Sequence, residues 1–311
     1  MASNRSTWTR TVPARVLLVL AFVAAGHPAA AQDAPARTIR ADPLVPGVTT
    51  LAMPPDGTVL IASGSSGTLV VDAGAPALAE RVDSAVQAHA ASPVRWVVTT
   101  HYHEDHRGAN PAFRATGVEL IAHRNVPAEA RRDTTIVELE WRRTAAPADA
   151  LPTRTFADSI VLDLGGEQAV VFHVPGAHTS GDAMVHLRRA NVVHTGDVVE
   201  LGAYPFIDRW AGGSIDGLIA AVDALLERTD ERTRIVPGHG TVIARDELIA
   251  YREMLVTVTA RLREAVAANE PIEALLEARV TAPYDARHGG ERHGQRFVQL
   301  LHAELRQEID R

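Results

Sequence analysis

The run His101-Tyr102-His103-Glu104-Asp105-His106 constrains this chain more than any other feature. It follows directly on a valine-rich stretch, Val94 to Val98, that reads as a short strand running into Thr99-Thr100. Three imidazoles and the Asp105 carboxylate, buried together, lose solvation and crowd their lone pairs unless a cation holds them. A fold that carries this run must place it at a strand end, where a loop can aim several side chains at one point. Three further ligand candidates stand at strand-to-loop junctions beside glycine. They are His178 in Gly176-Ala177-His178, Asp197 in Thr195-Gly196-Asp197, and His239 in Pro237-Gly238-His239-Gly240. Glycine lets the backbone turn tightly and bring such side chains to a shared centre.

The surrounding pattern is mixed α/β. Thr58 to Ile61 and Thr68 to Val71 read as strands joined by the turn Gly64-Ser65-Ser66-Gly67, and Pro76 to Ala90 has helical spacing. Val118 to Ala122 reads as another strand. Ile160 to Leu162 and Ala169 to His173 flank Gly165-Gly166 as a hairpin, with further strands at Met184 to Leu187 and Val192 to His194. Ile215 to Leu226 reads as a helix, Thr233 to Val236 as a strand, and Glu247 to Ala268 and Phe297 to Ile309 as helices. Hairpins alternating with helices predict two mixed sheets packed together with helices outside. Residues 128–152 have weak periodicity and read as a loop or helical insert near the site, and 270–311 as a helical extension of the same domain.

Composition narrows the chemistry. All 31 basic residues are arginine and the chain has no cysteine. Schiff-base lysines, P-loop lysines, disulfides, thiolate nucleophiles and cysteine-bound zinc are therefore excluded. The net charge of -7 argues against a nucleic-acid partner. Arg5, Arg10 and Arg15, the apolar run Val16 to Ala25, and Ala29-Ala30-Ala31 follow the order of a secretory signal with cleavage after Ala31. Residues 32–46, rich in Ala, Pro and Asp, read as a flexible leader, and 47–269 as the main domain. Loss of three arginines and no acid with the signal leaves a net charge of -10. The expected protein is periplasmic or secreted, without stable membrane insertion, and acts on a small molecule.

Five spaced motifs together resemble the metallo-β-lactamase superfamily of metal hydrolases: Val71-Asp72-Ala73-Gly74, the His101 to His106 run, His178, Asp197 and His239. The resemblance covers roughly residues 47–245 and implies a four-layer αβ/βα sandwich with the metals at one edge of the two sheets. It implies two zinc ions, with iron or manganese also acceptable to the nitrogen and oxygen donors. His101, His103 and His178 would hold the first, and Asp105, His106 and His239 the second. Asp197 would bridge them, and Asp72 would orient a ligand. A metal-bound hydroxide would attack the substrate, with Asp105 orienting it and passing on its proton.

A histidine at position 103, where di-iron oxygen reductases of the superfamily carry glutamate, favours hydrolysis over redox chemistry. Asp197 stands where the cysteine-containing lactamases place a thiolate, and the lysine that holds a β-lactam carboxylate in those enzymes is missing. Arg209 is a candidate substitute. The stretch Tyr204 to Gly217 resembles exported lactamase-like hydrolases with a bridging aspartate, and Tyr204 is a candidate catalytic donor to a developing oxyanion. The leading expectation is opening of a cyclic amide or ester such as a β-lactam, with antibiotic resistance as its consequence. The alternatives are a lactone or glyoxalase II-like thioester hydrolase, or a metal-binding periplasmic accessory protein. Trp141 is a candidate pocket wall. His123, His173, His186 and His194 read as hydrogen-bonded strand residues, and His288, His293, His302 and the pairs Arg142-Arg143 and Arg188-Arg189 as solvated polarity.

Overall fold

The computed structural model describes residues 38–309; the signal assigned to 1–31 and the start of the leader lie outside the described residues. The first sheet opens with β1 (Arg40–Val45), β2 (Val48–Ala52), β3 (Thr58–Gly64) and β4 (Gly67–Val71), an antiparallel meander. It continues with β5 (Val94–Val98) and β6 (Glu119–His123), both parallel to β4. A hairpin of β7 (Thr134–Ile136) and β8 (Trp141–Arg143) leaves the sheet before β9 (Arg154–Phe156) closes its edge, giving seven strands. The second sheet holds β10 (Ser159–Asp163), β11 (Gln168–His173), β12 (Ala183–Leu187), β13 (Val192–His194) and β14 (Arg234–Val236). Only its last pair, β13 with β14, is parallel.

The two sheets pack face to face. Leu60, Ala62, Leu69, Val71, Val98 and Ile121 of the first meet Leu162, Val171, Val185 and Val192 of the second. The alternate residues Val59, Ile61, Val70, Val97 and Leu120 turn outward onto α1 (Ala79–His89) and α2 (Asn110–Ala115). Strands buried on both faces carry continuous apolar runs, which is why they stand out in the sequence. A short helix α3 (Val126–Ala130) follows β6. On the far side, α4 (Ile215–Leu226) and α5 (Arg245–Ala267) cover the second sheet through Leu218, Val222, Met254 and Leu255. The result is the expected αβ/βα sandwich of four layers.

Residues 270–309 add α6 (Ile272–Glu277) and α7 (Glu291–Ile309), and Phe297, Val298 and Leu301 of α7 join the same core as α4 and α5. Gly294 permits this docking: a Cβ there would lie 2.3 Å from Thr281 Oγ1 and 2.6 Å from Asp285 Oδ1. No helix among the described residues is long and apolar enough to cross a membrane.

Three local expectations are corrected. Residues 40–45 are not leader but strand β1, hydrogen-bonded along β2. α7 begins at Glu291, six residues before its apolar periodicity becomes evident, because its first turns are polar and half-exposed. The weakly periodic 128–152 segment holds the β7–β8 hairpin, too short for its alternation to register.

His123 and His173 stack at 3.6 Å between centroids and 5° between planes. Burial, then the neighbouring His173, pushes His123 down to about 4, and burial likewise lowers His173. A histidine that resists protonation only when folded contributes stability above its ordinary pKa of about 6.5 and loses it as pH falls toward the folded value. Urea unfolding should therefore show wild type losing more stability than His123→Phe between pH 7.5 and 5, by on the order of 2 kcal/mol at most. Parallel pH profiles for the two proteins would rule this out.

Candidate metal centre

The ligand candidates meet where strands of both sheets end at one edge. β5 delivers Thr99 to His106, and its residue His106 sits in a short 3-10 turn, Glu104–His106. The loop after β11 brings His178, the turn after β13 brings Asp197, and the loop after β14 brings His239. Gly238 is required here: a Cβ at this position would stand 2.0 Å from Asp197 Oδ1.

All seven side chains converge, and their donor atoms form two groups. His101, His103, His178 and Asp197 make one, and Asp105, His106 and His239 the other, each with donor atoms within 4.8 Å of one another. His103 Nδ1 lies 2.9 Å from His101 Nε2 and 3.0 Å from His178 Nε2. Asp197 faces both groups. Its Oδ2 lies 3.6 Å from His101, 3.7 Å from His178 and 3.5 Å from His239, while Oδ1 lies 3.3 Å from His106 Nε2. Asp105 Oδ2 is 3.2 Å from His239 Nε2 and 3.6 Å from His106 Nε2.

Each imidazole is oriented by its outward nitrogen. His106 Nδ1 donates to Asp72 Oδ2 at 2.8 Å, His178 Nδ1 to the Phe206 carbonyl at 2.7 Å, and His239 Nδ1 to the Pro55 carbonyl at 3.0 Å. His101 Nδ1 meets Thr100 Oγ1 at 3.1 Å, and that hydroxyl donates to Asp72 Oδ2 at 2.9 Å. His103 is reversed: its Nε2 donates to Asp208 Oδ2 at 3.2 Å and leaves Nδ1 facing inward. With every proton assigned outward, bare nitrogens face one another across the first group. In addition, His106 Nε2 and Asp197 Oδ1 are buried and make no hydrogen bond. Buried lone pairs left in this state are costly, and divalent cations satisfy them. The residues fit two metal ions.

The electrostatics agree. Burial opposes charge on His106, yet Asp197, Asp105 and Asp72 raise it well above the usual imidazole range. Burial likewise opposes charge on His239, but Asp197 and Asp105 push it up to about 11. The metal-free chain thus gathers protons on the imidazoles that face its carboxylates, and metal must displace them. In the first group burial, then His106, lowers His101, and burial lowers His103.

Beside these groups opens a cleft of about 910 Å³. Leu139, Trp141 and Phe206 give it an apolar wall; Asp56, Glu104, Glu140 and Glu200 give it acids. Trp141 meets the His103 ring edge-to-face at 5.3 Å, so the insert does line the site. Tyr204 does not. Its hydroxyl donates to the Thr281 carbonyl at 3.0 Å and Asp285 Oδ1 at 2.9 Å, and its ring stacks on Phe297, so the expected oxyanion role is corrected. Arg209 also lies elsewhere, lining a separate depression with Ile207, Trp210 and Glu304. The supposedly solvated Arg143 is buried, pairs with Glu129 at 3.1 Å and stacks over Tyr102 at 4.3 Å. His288 is buried too, hydrogen-bonded to the Ala203 carbonyl at 3.2 Å.

Asp208 is the residue that pattern reading missed. It is fully buried, accepts from the Tyr102 hydroxyl and the Ala211 amide, and fixes His103. It sits 105 residues away from that histidine, so no spacing announces the pair.

The sequence profile of the metallo-beta-lactamase superfamily matches residues 57–239. Acyl-coenzyme A thioesterase MBLAC2 of Bos taurus is 29% identical over 182 residues, which cover 53% of this chain and 63% of that relative. The Homo sapiens protein of the same name is 29% identical over 167 residues, covering 49% and 58%. The chain thus spans less than two thirds of the length of the curated relatives it matches. A metallo-beta-lactamase from Pontibacter korlensis superposes with a TM-score of 0.55 at 20% identity, covering 70% of this chain and 99% of that one. A sec-alkylsulfatase from Pseudomonas sp. superposes with a TM-score of 0.59 at 17% identity, covering 77% and 45%. These two share the fold.

Two substitutions test the assignments. Asp208→Asn should weaken metal binding about 10- to 100-fold in a competition titration with a chelator, the usual cost of losing a partner behind a ligand. Wild-type affinity would remove Asp208 from the centre. Tyr204→Phe should lower stability by about 1–2 kcal/mol by leaving the Asp285 carboxylate short of a donor, read as a lower Tm with kcat retained. A selective collapse of kcat would restore the oxyanion role.

Proposed function

The chain belongs to the metallo-beta-lactamase superfamily, and on that premise we propose that it is a dinuclear, metal-dependent hydrolase of activated acyl bonds, thioesters first. The observation that carries this reading is the convergence of seven donor side chains around the shared carboxylate of Asp197. Zinc is the proposed metal, because the donors are imidazole and carboxylate at closely gathered positions. Two such ions, when bound, activate a water and stabilise developing oxyanion charge.

The chain's own residues do the rest. His101, His103 and His178 hold one position and Asp105, His106 and His239 the other, with Asp197 shared. Asp72 and Asp208 keep two of the imidazoles aimed inward. Asp105 is the most exposed of the three carboxylates in direct reach of the histidines, 29% against 8% for Asp197 and 1% for Asp72. It is placed to orient the attacking water and pass a proton to the leaving group. Leu139, Trp141 and Phe206 offer an apolar wall for an acyl group.

Two considerations place thioesters ahead of β-lactams, reversing the order expected from sequence. The curated relatives are acyl-coenzyme A thioesterases by name. Among the described residues lining the cleft there is no serine, threonine, tyrosine or lysine to protonate a departing amine. A thiol, with a pKa near 8.5, departs as the anion with far less help than an amine. The second reading, β-lactam opening, is favoured by the secretory pattern of residues 1–31, which would place the enzyme where such antibiotics arrive. Export is part of the proposal: cleavage after Ala31 would leave Gln32 first, which an intact mass of the exported protein reads.

The deciding experiment compares S-acylglutathione, an acyl-coenzyme A and a chromogenic cephalosporin, using the zinc-loaded protein and His103→Ala. A kcat/KM above ~10⁴ M⁻¹s⁻¹ on a thioester, at least tenfold above the cephalosporin, is expected. His103→Ala should lose metal, by elemental analysis, and nearly all turnover. A faster cephalosporin reaction would give the assignment to β-lactams; turnover by a metal-free variant would end both readings.

A further inference from the structure

The cleft beside the metal centre is lined by acids, histidines and apolar side chains, with a single arginine among its described lining residues, Arg296 of α7. Arg296 is exposed, and its guanidinium makes no hydrogen bond or ion pair among the described residues. That is unexpected for a cation beside Asp56, Glu104 and Glu140, which line the same cleft. Other arginines of the extension are used differently. Arg306 donates to Asn269 Oδ1 at 2.8 Å, Arg279 pairs with Glu291 at 2.9 Å, and Arg287 lines another depression with Tyr284 and His288.

The backbone that presents Arg296 is fixed. Its neighbours Phe297 and Val298 are 3% and 2% exposed, and Phe297 stacks on Tyr204 at 5.3 Å. Gly294 lets α7 close onto Thr281 and Asp285, and Glu304 accepts from the Ile215 amide at 2.8 Å further along the helix. A long side chain mounted on a rigid, well-packed helix and left unpaired at the mouth of a site has the features of a recognition residue. Its planar fork matches a carboxylate or a phosphate, each of which takes two parallel hydrogen bonds from it.

We propose that Arg296 is the specificity-determining residue of the cleft, binding an anionic group carried by the substrate away from the scissile bond. This rests on the acyl-hydrolase reading and refines it: the substrate is an acyl compound bearing a carboxylate or a phosphate. The C-terminal extension then serves the site by delivering the one cation that the lysine-free main domain does not.

The test uses the zinc-loaded full chain and three thioesters with the same acyl group. S-acylglutathione carries carboxylates, acyl-coenzyme A carries phosphates, and acyl-N-acetylcysteamine carries neither. In Arg296→Ala, the kcat/KM ratio of the preferred charged thioester over the neutral one should fall about ten- to hundredfold, the usual range for a hydrogen bond to a charged group. The loss should sit mainly in KM, and Arg296→Lys should recover part of it. The charged thioester whose ratio falls identifies carboxylate or phosphate as the group recognised. A ratio unchanged for both charged substrates would overturn the proposal. Binding of glutarate and inorganic phosphate, followed by calorimetry, separates this inference from the acyl-hydrolase reading. If no thioester turns over, weaker anion binding by Arg296→Ala at equal zinc content still upholds Arg296, and equal binding refutes it.

Discussion

Every imidazole at the sheet edge is held by the nitrogen that faces away from the centre. Asp72, Asp208, Thr100 and the carbonyls of Pro55 and Phe206 supply the outward partners, and the inward nitrogens are left bare. This single arrangement determines what the site can be. Inward-facing lone pairs packed 2.9–3.0 Å apart do not bond to one another, and only cations make their burial favourable. Protons on His106 and His239 meet that need in part, which ties metal affinity to pH through the same carboxylates that would bind the ions.

The sandwich exists to keep those outward partners still. Asp72 stands at the end of β4 with φ at 64°, a left-handed conformation that aspartate tolerates better than most residues. It accepts the Thr100 amide at 2.7 Å and the Thr100 hydroxyl, so the end of β4 and the loop after β5 are locked together. His106 and His101 are therefore set by one buried carboxylate. Asp208 does the equivalent work from the second half of the chain, tying His103 to the Tyr102 hydroxyl and, through the Arg143 guanidinium over the Tyr102 ring, to the hairpin that bears Trp141. The hairpin is thus part of the support behind the ligands as well as a wall of the cleft.

What the sequence made legible follows from how each interaction is encoded. Strands buried on both faces write continuous apolar runs, so β3, β4, β5 and β11 to β13 were readable. The ligands were readable because their chemistry is rare: three histidines around Asp105 in one turn have few other uses. The substrate side was not. Arg296 and Asp208 are ordinary residues whose significance comes from contacts across long separations, 105 residues for His103 with Asp208. Tyr204 was misjudged for the complementary reason. It follows Asp197 closely in sequence, but the chain turns after Glu200 and sends the phenol to the extension. Proximity in sequence to a ligand does not fix which face of a loop a side chain occupies. Strand β1 was missed because Asp42 and Pro43 mask its alternation, and an edge strand tolerates both.

The loop Tyr204 to Asp208 joins these observations. Its Phe206 carbonyl orients His178 and its Asp208 carboxylate orients His103, while Tyr204 and Ile207 belong to the core shared with α7. One five-residue segment therefore packs against the metal ligands on one side and the C-terminal extension on the other. Because Tyr204 is pinned to Thr281 and Asp285, and Gly294 lets α7 rest on those same two residues, the position of Arg296 is linked by packed contacts to that of His103 and His178. Substrate recognition and metal orientation are then not independent features of the fold. A helix added after the sandwich becomes part of the active site because it shares a loop with it, and its docking is what sets the distance between the charge that selects and the centre that reacts.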